Sequence, residues 1–203
     1  MAVIKSGATT DQLTIDPTSK AARITPYDSS GSLCLRQQSY VAAITATASA
    51  AGTGVFWNLK GSATKTVKVY RIRVNATVAT AAIIAAFLLA KRTVAGSGGT
   101  PVVITPLGAD TNNTAATATS NLYSALATAG TGGGILDIQS ALVPLVSSTT
   151  LDPHAIDFTA PVGVDGALQP WVLRGVAESL ELSTLATMTN TPTFAVSAFF
   201  TEE

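Results

Sequence analysis

The stretch TVKVYRIRV, residues 66–74, gives the clearest β-strand signal in the chain. Apolar residues alternate with charged ones at a period of two, which is typical of a strand with one buried face. The apolar parity changes midway, because Val67 and Val69 have odd numbers whereas Ile72 and Val74 have even numbers. Such a change is expected either at a β-bulge, in which one extra residue turns the strand over, or at a transition from the edge to the core of the sheet.

Working outward, turn residues separate further segments with strand patterns, and no long amphipathic helix interrupts them. This organisation predicts an all-β fold, a jelly-roll-like antiparallel β-sandwich over residues 37–203. Trp57 and Trp171 lie in apolar strands and are predicted to be core residues. The remaining predicted strands are 39–50, 55–59, 83–93, 102–107, 115–127, 135–146, 171–174, 179–183 and 193–201.

Two of these strands also predict which side chains share a face. In 39–50, Tyr40, Ala42 and Ala48 are expected on one face, and Ser49 on the other. In 193–201 the even-numbered residues are expected to share a face.

The apolar segment 76–90, ATVATAAIIAAFLLA, is the one candidate for a membrane span. It is shorter than the roughly 18–20 residues that a spanning helix needs. Its Val, Ile and Thr content favours a strand buried on both faces. We therefore expect no membrane association.

The composition is unusual for a soluble chain of 203 residues, because only 12% of the residues are charged and the net charge is zero. Average globular proteins carry about 25% charged residues. Ala and Thr dominate, with 34 and 30 residues, whereas Lys and Glu are scarce. An uncharged surface promotes association, so we expect a homo-oligomer, and nucleic acid is an unlikely partner without a basic excess.

Residues 1–36 differ from the rest and form a predicted N-terminal arm with few large apolar residues. Its charged side chains Asp16, Lys20, Arg23 and Asp28 are the candidate partner-binding residues. The segment KAARITP, residues 20–26, is suited to pairing as an added strand on a neighbouring chain.

Nothing in the sequence predicts a catalytic, metal or cofactor site. The only histidine, His154, has Asp152 and Asp157 nearby but no second His or Cys to complete a zinc site. No Gly-x-Ser-x-Gly motif accompanies it to suggest a serine hydrolase. The single cysteine, Cys34, excludes an intramolecular disulfide and is interpreted as an inert, small apolar residue.

Three other patterns in the sequence are candidates for a functional site. Glu178 and Glu181 are three apart on a strand and are expected to point to opposite faces, which argues against paired catalytic carboxylates. The glycine clusters 96–99 and 130–134 lack the lysine of a phosphate-binding loop and are interpreted as loop tips. The basic cluster, which is a weak candidate for nucleic-acid binding, comprises Lys65, Lys68, Arg71 and Arg73, with Tyr70 among them.

The opening MAVIKSGATTDQLTIDPTSKAARITPYDSSG, residues 1–31, resembles the N-terminal module of structural proteins of tailed bacteriophages. The shared core is Thr-Ile/Val-Asp-x-Thr-Ser-Lys-Ala-Ala-Arg. Residues 64–95, 110–118, 169–185 and 197–203 resemble the body of the same proteins. The resemblance implies a virion component with a β-sandwich body and no catalytic motif.

Together these observations predict a capsid decoration or cement protein of a tailed bacteriophage, assembled into the virion in the bacterial host cytoplasm. Its expected partners are its own copies, as a symmetric oligomer and most simply a trimer, and the major capsid protein or another virion protein. Two alternatives stay open: a tail or fibre component that contacts host-surface glycan, and a polysaccharide hydrolase.

Overall fold

The computed structural model describes residues 4–5, 12–15, 22–23, 38–78, 80–145, 155–164, 166, 168–188 and 190–203. The chain divides into two compact units, Met1–Gln37 and Gln38–Glu203. The first unit contains three short strands in the order β1-β2-β3, each antiparallel to the next. They are β1 (Ile4–Lys5), β2 (Gln12–Ile15) and β3 (Ala22–Arg23).

The second unit is an antiparallel β-sandwich, which confirms the all-β prediction; the finer jelly-roll assignment stays a prediction. One sheet, here called the β5 sheet, has the order β11-β7-β14-β5-β10-β8, and the other, the β15 sheet, has the order β12-β6-β15-β4-β9 with β13 also paired to β6. The strands are β4 (Gln38–Ala48), β5 (Val55–Lys60), β6 (Thr66–Val78), β7 (Ile83–Arg92), β8 (Thr100–Ile104), β9 (Leu107–Gly108), β10 (Thr119–Ala127), β11 (Gly134–Val143), β12 (Ile156–Thr159), β13 (Trp171–Arg174), β14 (Ser179–Thr184) and β15 (Pro192–Glu202).

Aromatic rings from both sheets join the two layers. Phe194 on β15 stacks on Phe56 of β5 with ring centroids 4.1 Å apart, and it meets the ring of Phe87 on β7 edge to face. Trp57 is fully buried, as predicted, and its indole N–H donates to Ser120 Oγ over 3.0 Å. Trp171 is only partly buried and packs against the rim of the core.

The predicted bulge in β6 is confirmed and lies at Tyr70. Opposite it on β15, Phe199 faces Arg71 and Phe200 faces Val69, so that Tyr70 is the extra residue. Residues on both sides of the bulge therefore point into the core. Val67, Val69, Ile72 and Val74 are all fully buried.

The apolar segment 83–92 is a strand, as predicted, and it pairs with β11 and β14. Its second half is buried on both faces, whereas Ile84 near its start is 80% exposed. In the described part of the chain, no helix is long and apolar enough to cross a membrane.

Three predictions about strands need correction. The predicted strand 102–107 is two strands in different sheets, β8 and β9, because Pro106 interrupts the ladder. Ala48 is exposed and Ser49 is buried, because the register of β4 shifts between Ile44 and Thr47. Strand β12 was not predicted, since four residues give too short a pattern.

Candidate functional site

The outer face of the β5 sheet, which points away from the β15 sheet, divides into two contrasting ends. Cross-strand partners share a face of a sheet, so the register defines the rows of side chains. Glu181 on β14 lies opposite Asn58 on β5 and Ala90 on β7. At the other end Leu142 on β11 lies opposite Ile84 on β7.

Glu181 is 1% exposed although it lies on the outer face, because two loops cover it. Its Oε1 accepts the backbone N–H of Gly96 over 2.7 Å, and its Oε2 accepts that of Gly130 over 2.9 Å. Ser179 Oγ donates to Oε1 over 3.1 Å, and Arg92 Nε lies 3.7 Å from Oε2. Two backbone donors and a neighbouring cation satisfy the buried carboxylate. This region is the loop-covered end.

Both glycines in this network lie too close to backbone for a side chain. A Cβ on Gly96 would collide with the carbonyl oxygen of Thr128, and a Cβ on Gly130 with that of Val94. The two loops also pair with each other through bridges from Val94 to Thr131 and from Ser97 to Thr128. The prediction that the glycine clusters lie in loops between strands is confirmed, and the anion that these loops hold is the protein's own carboxylate.

A second buried carboxylate, Glu202 on β15, holds the segment that crosses from the β15 sheet to the β5 sheet. The backbone N–H groups of Thr117 and Ala118 donate to its Oε1 over 2.9 and 2.7 Å. Lys65 Nζ lies 3.4 Å from Oε2. Glu202 is 3% exposed, so that this group is structural rather than a surface charge.

The basic cluster on β6 is neutralised by acidic side chains. Arg71 donates to both carboxylate oxygens of Asp157, and Arg73 also reaches this carboxylate. The hydrogen bond from Arg71 holds the pKa of Asp157 below its usual value despite partial burial. Six of the eight Lys and Arg side chains between Gln38 and Glu203 are in ion pairs: Lys65 with Glu202, Lys68 with Glu203, Arg71 and Arg73 with Asp157, Lys91 with Glu178, and Arg92 with Glu181.

Glu178 and Glu181 bind different groups. Glu178 Oε2 accepts the backbone N–H of Arg174 over 2.8 Å and lies 3.1 Å from Lys91 Nζ. Burial raises the pKa of Glu178, but the Arg174 N–H and the Lys91 ammonium together outweigh it and leave the pKa lowered. The two carboxylates therefore do not converge on one point as a catalytic pair would.

An exposed group of large aliphatic side chains, here called the apolar patch, runs along β11 on the outer face, from Ile135 in the row of Glu181 to Leu142 at the other end. Ile84 is 80% exposed, and the others are between 42% and 58% exposed. Leu185 belongs to it because its N–H donates to the carbonyl of Ala86, next to Ile84 on β7. The five members are Ile84, Ile135, Ile138, Leu142 and Leu185.

A shallow depression of about 420 Å³ lies beside the loop-covered end. Hydroxyls of Thr53, Thr128, Ser183 and Thr184 line it together with the aliphatic side chain of Leu126. Within the described residues this lining contains neither an aromatic ring nor a charged group, so that it offers only weak recognition of a small molecule.

The side chains predicted from the sequence to bind a partner are not among the described ones. Asp16, Lys20 and Asp28 fall outside the described residues, and Arg23 is described only as a backbone position in β3, opposite Thr14. His154, Asp152 and Cys34 also lie outside the described residues. Among the residues that the structure does describe, no three His, Cys, Asp or Glu side chains come together as a metal site.

Sequence reasoning missed Glu181 and Glu202 as buried anchors. A signal existed for Glu202, because it continues the even-numbered row of Phe194, Val196, Ala198 and Phe200 that points into the core. Glu181 gave no such signal, since its cover comes from loops more than 50 residues away in sequence.

In the comparisons with known proteins, no family model, curated protein or solved structure matches the chain.

Proposed function

We propose that this protein is a non-catalytic structural component of a tailed-bacteriophage virion, a capsid decoration or cement protein. In this proposal its copies associate with one another, and the N-terminal arm, residues 1–36, attaches them to the major capsid protein or another virion protein. The protein acts without a cofactor and becomes part of the particle in the host cytoplasm.

The observation that carries the proposal is the division of roles between charged and apolar side chains in the sandwich. The charged groups hold loops and edges together within the molecule, as Glu181 and Glu202 illustrate. The exposed large apolar side chains of the described residues are all aliphatic except Phe199. A surface of this kind suits contact with other protein chains better than binding of a charged substrate.

The arm adds an independent argument from sequence. Its resemblance to the N-terminal module of phage structural proteins covers residues 10–30 most specifically.

The two alternatives make different demands on the surface. A glycan-binding tail component needs exposed aromatic rings, whereas Trp57 is fully buried and Trp171 is partly buried. A polysaccharide hydrolase needs two carboxyl groups that face one substrate, whereas Glu178, Glu181 and Glu202 each hold separate parts of the protein. Both observations favour the structural role.

Removal of residues 1–30 tests the proposal. The truncated protein is expected to melt cooperatively as a β-protein but to lose binding to particles that lack the protein. The charge reversals Lys20→Glu and Arg23→Glu are expected to weaken particle binding more than they lower the melting temperature. Full binding by the truncated protein would show that the arm is not the anchor, and failure to fold would show that the arm belongs to the sandwich.

Catalysis is tested separately with polysaccharide, peptide and ester substrates. We expect no turnover by the purified protein and no difference between the wild type and His154→Ala. Turnover that disappears in the His154→Ala variant would contradict a purely structural role.

A further inference from the structure

The sandwich has four sheet edges, and three of them carry features that prevent pairing with another chain. Strand β9 is only two residues long, and β8 contains Pro101, which lacks an N–H to donate. At the other edge of the β15 sheet, β12 and β13 have four residues each, and residues 160–170 separate them. Short strands, prolines and interruptions are common protections of sheet edges.

Strand β11 differs from the other three edge strands. It is ten residues long, contains neither Pro nor Lys, and pairs only with β7 among the described strands. A bulge at Leu136 interrupts the start of β11, and residues 137–143 pair regularly with β7. Its single charged residue, Asp137, accepts hydrogen bonds from the Ile138 N–H and the Gln139 side-chain amide. A regular edge of this length with one charged residue is a template for addition of another strand.

The apolar patch lies directly beside this edge. Ile135, Ile138 and Leu142 of β11 belong to it, and Ile84 and Leu185 extend it across the sheet. A strand added to this edge lies next to the exposed Ile138 and Leu142 of β11, whereas Ile84 and Leu185 lie one and two strands further in. The edge and the β11 side chains Ile138 and Leu142 therefore form the contact surface.

We propose that β11 pairs antiparallel with β11 of a second copy of this chain, so that the two β5 sheets become one continuous sheet. A second copy fits this surface because a two-fold interface brings the same patch from both chains together and needs no complementary charge. The contact surface itself carries no charged side chain except Asp137 at its end.

A two-fold axis at Ser140 gives the best register. Opposed residues of an antiparallel pair then have numbers that sum to a constant, so that Ile138 faces Leu142 of the partner subunit. Asp137 faces Val143 of the partner subunit and not a second Asp137. This register joins the two patches without placing like charges opposite each other.

The inference rests on the proposed function only in that the copies associate with one another. The smallest assembly is then a two-fold symmetric dimer, which differs from the trimer expected from the sequence. Particle binding through the arm is a separate property, so that the failure of one proposal is distinguishable from the failure of the other.

The first test measures the mass of the full chain by sedimentation at about 1–100 μM, a range in which a dimer with a micromolar dissociation constant forms. The wild type is expected as a dimer, and Ile138→Lys and Leu142→Lys are expected to weaken dimerisation by about a hundredfold or more. Val103→Lys is the matched control, because Val103 is 70% exposed on β8, the opposite edge strand of the same sheet. The control is expected to dimerise like the wild type.

The second test traps the register without disturbing the patch. In a Cys34→Ser background, Ser140→Cys is expected to give a covalent dimer under mild oxidation, because opposed Cα atoms of antiparallel strands lie about 4.5–5.5 Å apart, within the range for a disulfide. Val103→Cys in the same background is expected to stay monomeric in a denaturing gel.

Several outcomes would overturn the inference. They are a wild type that stays monomeric at 100 μM, a trimer as the smallest assembly, equal weakening by Val103→Lys, or no cross-link at Ser140→Cys. Circular dichroism of each variant excludes misfolding as the cause of a changed mass. A dimer that does not bind particles would support the inference and contradict the proposed function.

Discussion

The loop-covered end and the apolar patch share the same face of the same sheet, yet the protein treats them in opposite ways. At the first end two loops bury a charged Glu181, and at the second end Ile84 stays 80% exposed. A solvated sheet face usually shows the reverse, with charges exposed and aliphatic side chains covered. The comparison teaches that the chain covers a buried carboxylate with its own backbone and leaves large aliphatic side chains exposed.

The largest expected effect comes from removal of the carboxylate at the loop-covered end. Glu181→Ala leaves the N–H groups of Gly96 and Gly130 without their acceptor and removes the ion-pair partner of Arg92. We expect a loss of about 3–5 kcal/mol in the free energy of unfolding, measured by urea denaturation. The matched control Glu178→Gln changes a more exposed ion pair and is expected to cost less than about 1 kcal/mol. Equal losses in both variants would contradict the anchoring role of Glu181.

A smaller effect is expected from the loops themselves. Gly130→Ala adds a Cβ that collides with the carbonyl oxygen of Val94 and crowds Glu181, so that the two loops must separate. We expect a loss of about 1–3 kcal/mol, measured by thermal melting. Gly134→Ala is the control, because a Cβ there meets no atom within 4 Å. A Gly130→Ala variant as stable as Gly134→Ala would show that the loops do not need this close approach.

The pH dependence of stability is expected to reflect two carboxylates in ion pairs, Asp157 and Glu178. The pKa of Asp157 is lowered first by its hydrogen bond from Arg71, and the pKa of Glu178 is also lowered in the folded protein. A lowered folded-state pKa contributes stability above the unfolded pKa of about 4, and that contribution is lost as the pH falls through the folded value. The melting temperature is therefore expected to fall between pH 5 and pH 2, a window set around those reference pKa values of about 4. Asp157→Asn should show a smaller fall, and an unchanged profile in this variant would argue against the Arg71 pair as a cause.

The smallest effect is expected at the apolar patch, provided that the protein is monomeric. In the Ile138→Lys background, Ile84→Thr and Leu185→Ser should change the free energy of unfolding by no more than about 0.5 kcal/mol, since these side chains pack little within one chain. Urea denaturation of the three proteins measures this. A loss near that of Gly130→Ala would mean that the patch supports the fold of the single chain.

Local sequence patterns were sufficient to predict most strands and the bulge. Alternation along 66–74 and 193–201 identifies strands without reference to the rest of the chain. The parity change indicated a bulge or an edge-to-core transition, and the structure shows the bulge, at Tyr70. These features depend on residues two to four positions apart, which a single sequence contains in full.

The pairing of distant segments could not be predicted in the same way. Glu181 is buried only because loops near Gly96 and Gly130 meet above it, and no local pattern encodes that meeting. The apolar patch also needs the neighbourhood of β7, β11 and β14, which follows from the order of the strands in the sheet. The predicted binding residues of the arm stay predictions, because their side chains lie outside the described residues.

The central position of β15 has a consequence for synthesis of the chain. Strand β15 (Pro192–Glu202) lies between β4 and β6, and it follows the other described strands in sequence. Until β15 has been made, β4 and β6 lack their common neighbour, so that this sheet cannot close before residues 192–202 emerge. Assembly of the sandwich therefore follows the emergence of residues 192–202, and its long-range pairing favours slow folding after the other strands are complete.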